Sequence, residues 1–107
     1  MNEKIKPFKV PQEVQEALEL LLRHGRGDYG GARRCAMFLL SLWDGDTYKA
    51  DLQDLMYCDP DIFAAMMRLY QYLYGSNQQL DSVVSEDRIK PVLAAWGTAF
   101  SAAGPGD

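Results

Sequence analysis

His24, Ser41, Cys35 and Cys58 are the side chains with which this sequence could attack, abstract or coordinate. A histidine can act as general base for a serine or cysteine nucleophile, but no nucleophile motif lies near His24 and Ser41 sits inside LLSLW without a nucleophile elbow. His24 instead falls at the end of an expected helix, where a cation meets the carbonyl end of the dipole. A structural zinc needs three or four ligands at close spacing, which one histidine and two distant cysteines do not supply. DGD at Asp44 to Asp46 opens like a calcium loop, yet Tyr48 and Lys49 occupy the fifth and sixth positions where an oxygen ligand and a glycine are required. No glycine pattern ending in Lys and Ser or Thr cradles a phosphate. The expectation is a protein without enzymatic activity, cofactor or metal.

Charge is the stronger signal. The net charge is -4, against a general nucleic-acid binder, but it is unevenly spread. Arg23, Arg26, Arg33 and Arg34 stand in RHGRGDYGGARRC with one acid, Asp28. The stretch from Asp44 to Asp61 holds six aspartates and a single lysine. Asp44, Asp46, Asp51, Asp54, Asp59 and Asp61 interleave with Tyr48 and Tyr57, a pattern that can imitate a nucleic-acid backbone and enter a basic channel on another protein. The bland reading is a solvated face with helix-capping duties. RGD at Arg26 to Asp28 is a chance tripeptide, and Asp28 reads as a cap or as the partner of Arg33 or Arg34.

Helices must position these groups. At 107 residues and 48% hydrophobic the chain suffices for one core. The pattern predicts an all-α, compact single-domain bundle of four or five helices over 11–100, after a polar segment 1–10 and before a disordered tail 101–107. Pro11 opens a helix whose stripe is Val14, Leu18, Leu21 and Leu22. Glycines 25, 27, 30 and 31 form a hinge, because glycine is costly inside helices and tolerates positive φ. A broad apolar helix then runs from about Ala32 to Trp43. Asp51 caps a short helix burying Leu52 and Leu55. Asp59 caps a proline-led helix that ends at Gly75 and, apolar over more than half its circumference, is either central or meets a partner. Ile89, Val92, Leu93, Trp96 and Phe100 mark the last helix, which Pro91 kinks or begins. No stretch alternates long enough for a strand.

MNEKIKPFKVP is polar and proline-broken rather than an export signal, and AMFLLSLW is far shorter than the ~20 residues of a membrane helix. The expectation is a soluble cytoplasmic protein with reduced cysteines and no membrane contact.

Gly27, Asp28, Gly30, Arg33, Arg34, then Phe38, Leu39, Leu40, Trp43, then Asp51, Leu52, Asp54, Leu55 and Asp59 follow an order similar to an uncharacterised family of short helical proteins carried by proteobacterial plasmids, phages and other mobile elements. The likeness runs from VPQEVQEAL to Met66. It supplies no catalytic residues and implies genomic context: some small proteins of such elements are anti-CRISPR inhibitors that occupy surfaces of the surveillance complex. The resulting expectation is a non-enzymatic inhibitor binding a host defence protein or CRISPR surveillance complex through Asp44, Asp46, Tyr48, Asp51, Asp54, Tyr57, Asp59 and Asp61. The alternative is a DNA- or RNA-associated protein using Arg23, Arg26, Arg33 and Arg34.

Overall fold

The computed structural model describes residues 10–101, so all but the last residue of the expected polar segment 1–10 and most of the expected disordered tail 101–107 lie outside the described residues. Four α-helices make a small all-α domain: α1 (Gln12–Gly25), α2 (Gly30–Trp43), α3 (Pro60–Ser76) and α4 (Glu86–Phe100). Short 3-10 turns occur at Asp54–Tyr57 and Leu80–Ser82. No strand forms among the described residues; Tyr48 and Ser101 make one isolated antiparallel bridge.

Pro11 is not the first helical residue but the one before it, and its carbonyl accepts from Val14 and Gln15 at 3.1 and 3.0 Å. The stripe Val14, Leu18, Leu21 and Leu22 is buried as expected. α2 begins two residues before Ala32 because its first-turn amides need no helical partner, so glycine costs little there. Every residue from Cys35 to Leu40 is buried.

The expected central helix is not central. α1 packs against α2 and α3, and α4 packs mainly against α2, so α1 and α2 carry the core. α3 buries Ile62, Ala65, Met66, Leu69 and Leu73, whereas Phe63, Tyr70 and Tyr74 are exposed. An apolar circumference reports how much surface a helix could bury, and neighbours decide how much it does.

Gly75 does not stop α3 either. The helix continues to Ser76 and closes at Asn77, whose φ of 56° and ψ of 43° are left-handed. Gln78 N–H then reaches back to the Leu73 carbonyl at 3.0 Å. Asn77→Val is expected to lower stability by about 1–2 kcal/mol, because a β-branched residue resists this backbone, while Asn77→Gly retains or improves it. Urea unfolding of the two variants checks the sign; equal midpoints would contradict it.

Asp59 precedes Pro60 as expected, but only its carbonyl bonds into the helix, to Phe63 N–H at 2.9 Å. Pro91 lies inside α4 rather than at its start, where it withholds one helical hydrogen bond. The 3-10 turn starts only at Asp54, so Leu52 falls off the stripe that buries Leu55 and is 76% exposed.

Candidate functional site

The hinge between α1 and α2 is fastened differently from the expectation. None of its glycines has a positive φ. A Cβ at Gly27 would stand 2.7 Å from the Tyr29 ring, so glycine there makes room for an aromatic rather than for a left-handed turn. The Tyr29 hydroxyl is hydrogen-bonded to His24 Nδ1, with the two rings edge to face at 5.8 Å. Trp96 Nε1–H donates to the Gly27 carbonyl at 2.8 Å, tying the hinge to α4. His24 is thus a structural partner of Tyr29, and Asp28, exposed, takes no part in holding Arg33 or Arg34.

Both of those arginines go to Asp54. Arg33 bonds one carboxylate oxygen, and Arg34 Nε–H bonds the other at 3.1 Å. Adjacent helical positions diverge by ~100°, yet these long side chains curve back to a common acceptor. The side chain of Asp54 is only 15% exposed. Burial acts to raise its pKa, and the hydrogen bonds and charges of Arg33 and Arg34 outweigh that and hold the carboxyl below its ordinary range. The Arg33 guanidinium also lies over Phe100 at 5.4 Å and Arg34 over Tyr57 at 5.8 Å. A clamp therefore joins α2, the 3-10 turn and the end of α4. Lys49 N–H reinforces it by donating to the Phe100 carbonyl at 3.1 Å.

This arrangement divides both candidate sets. Asp54 is spent within the molecule, and Tyr48 is half-buried against the core beside its bridge to Ser101. Asp44 ends α2, and hydrogen bonds from Thr47 keep its carboxyl low. Asp46, Asp51, Asp59 and Asp61 are exposed, and Asp51 also accepts Gln53 N–H at 3.0 Å. On the basic side Arg33 and Arg34 are committed, while Arg23 and Arg26 are exposed near the end of α1.

In the segment 51–61 Tyr57 was already in the candidate set, and Leu52 and Met56 are what sequence reasoning missed. Leu52, Met56 and Tyr57 are 76%, 79% and 67% exposed, beside Asp51, Asp59 and Asp61. The available signal was three large apolar residues inside the most acidic part of the chain.

Cys35 is buried and Cys58 half-buried, and both are free thiols. Burial, with Cys58 adding to it, pushes Cys35 up to about 12, which makes it a poor nucleophile. Among the described residues no group of acidic, histidine or cysteine side chains is placed to hold a metal, and no helix is long and apolar enough to cross a membrane.

No curated protein and no solved structure matches the chain. A family match covers residues 15–97 and so runs past Met66, where the sequence resemblance fades, through α3 and most of α4. On that coverage the chain belongs to DUF7673, a family of unknown function.

Proposed function

We propose that this protein is a binding module that occupies a basic, partly apolar surface of a partner protein, as a mobile-element inhibitor of host defence of the anti-CRISPR kind. The segment 51–61 carries this reading: Leu52, Met56 and Tyr57 stand in water among the exposed carboxylates of Asp51, Asp59 and Asp61. Large apolar groups gain free energy when covered, and three on one short segment are suited to anchor an interface. Neighbouring carboxylates would favour a cationic partner and speed its association. Such a module acts by stoichiometric blockade, without chemistry of its own, in the cytoplasm where the surveillance complex works.

The nucleic-acid alternative has less support. Asp54 neutralises part of the basic set, and two remaining arginines release few counterions from a phosphate backbone.

The test is phage plaquing on hosts with active CRISPR systems and on matched hosts lacking them, with a pull-down of the effector complex. Plaquing rescued only in the CRISPR-active hosts is expected. The triple variant Leu52→Ser, Met56→Ser, Tyr57→Ala should lose rescue and weaken partner binding more than ~100-fold, as loss of interface anchors does. Its helical CD signal should persist, since exposed substitutions usually change stability by about 0.5 kcal/mol or less per site. Absence of rescue across system types would remove the defence-inhibitor reading, and full binding by the triple variant would remove this segment.

A further inference from the structure

The C-terminal end of α1 and the first turns of α4 enclose a cleft of about 360 Å³, at the small end of ligand-site sizes. Arg23, Arg26 and Arg88 line it with Glu19, Asp87, Leu22 and Pro91. Arg88 is bonded across the cleft to Glu19, and Asp87 faces Lys90 at 3.9 Å. Both acids of the cleft therefore already have a cation. Arg23 and Arg26 make no ion pair among the described residues, so two arginines without a carboxylate partner stand in the wall of one concave space.

We propose that this cleft binds a small phosphomonoester. A guanidinium offers a planar fork of donors that matches two phosphate oxygens, so a pair of free arginines suits a compact dianion. The positive end of the α4 dipole beside Arg88 offsets the negative end of α1, which also borders the cleft. A concave space of this size takes one compact phosphate group rather than an extended nucleic-acid backbone. Leu22 and Pro91 give the organic part of the ligand an apolar wall. The site is independent of the protein-binding segment. Arg88 and Phe100 are twelve residues apart on α4, which separates the cleft from the Arg33–Asp54 clamp by about 18 Å.

The experiment is an NMR titration of the full ¹⁵N-labelled chain at constant ionic strength. Its probes are inorganic phosphate, glycerol 3-phosphate and a single-stranded oligonucleotide without a terminal phosphate. Saturable shifts of the Arg23 and Arg26 Nε–Hε signals are expected at pH 7.5, with the glycerol ester binding more tightly than inorganic phosphate. Affinity should drop about tenfold between pH 7.5 and pH 5, because the second phosphate ionisation lies near ~6 while arginine stays charged. Arg23→Gln and Arg26→Gln should each weaken binding by about tenfold, and Arg68→Gln should leave it unchanged. The pH dependence of the unmodified chain provides a readout that needs no variant to fold. Shifts that never saturate, that chloride reproduces, or that survive both arginine substitutions overturn the proposal. Tighter binding of the oligonucleotide than of the glycerol ester also overturns it, and assigns these arginines to nucleic acid.

Discussion

Asp54→Lys is expected to lose about 2–3 kcal/mol of stability, where Asp54→Asn loses about 1–2. The carboxylate is mostly covered and each oxygen serves a different arginine, so the lysine removes two charge-assisted bonds and sets a third cation between Arg33 and Arg34. A fully buried pair would cost more, but Arg33 is 47% exposed and water screens part of the change. The effect should also depend on pH. Folding holds Asp54 below its usual range, so at pH values between the folded and unfolded pKa the unfolded chain binds more protons. The clamp's stabilisation is therefore complete above the unfolded value of about 3.9 and fades as pH falls through the lower folded value. Urea midpoints at pH 7 and along an acid series test both points. The Asp54→Asn variant should lose less stability than the unmodified chain on acidification, though it keeps the part due to Asp44, whose carboxyl is also held low. Identical acid slopes in the two proteins would show that the clamp contributes nothing to folding.

That clamp marks the boundary of what the sequence could disclose. Helix positions followed from local periodicity: Val14, Leu18, Leu21 and Leu22 mark α1 because one buried face repeats every three or four residues. Pairing of Arg33 and Arg34 with Asp54 spans about twenty residues and depends on how the connection after α2 folds back, which no local rule encodes. The nearer acid, Asp28, was the natural partner on spacing alone. Leu52 shows the same limit, since a difference of one turn in where the 3-10 segment begins decides whether it is covered. Phe63, Tyr70 and Tyr74 were correctly apolar and on one helix, but whether such residues meet a neighbour or solvent is a property of the packing.

The two opposed charge runs consequently do not form two separate faces. Asp54 joins them, and what remains free is smaller and more localised on each side: Asp51, Asp59 and Asp61 with three exposed apolar groups, and Arg23 and Arg26 around a cleft. Internal neutralisation gives the clamp a structural duty and leaves recognition to groups that make no ion pair, although Tyr57 also carries the Arg34 guanidinium over its ring. A variant that weakens binding by disturbing Asp54 would thus act through the position of segment 51–61, whereas the Leu52, Met56 and Tyr57 substitutions act at the surface itself.

The junction of α1, α2 and α4 gives the other large effect. Leu39 is fully buried, and a Cβ at Gly25 would stand 3.4 Å from its Cδ1 and 3.5 Å from Val92 Cγ2. Leu39→Ala should cost about 3 kcal/mol through lost burial and the cavity left behind. That is a large share of the ~5–15 kcal/mol expected for a domain of this size. Gly25→Val should cost about 1–3 kcal/mol for the opposite reason, because its Cβ reaches ordinary contact and its two methyls have no space beyond. Combining the two places those methyls against the volume that Leu39 vacates. The double variant should therefore be more stable than the sum of the single losses predicts, by about 1 kcal/mol, the coupling that neighbours sharing a cavity show. Denaturant unfolding of all four proteins measures it. Strict additivity would mean that Gly25 and Leu39 do not share space and that α1 meets α2 differently at this point.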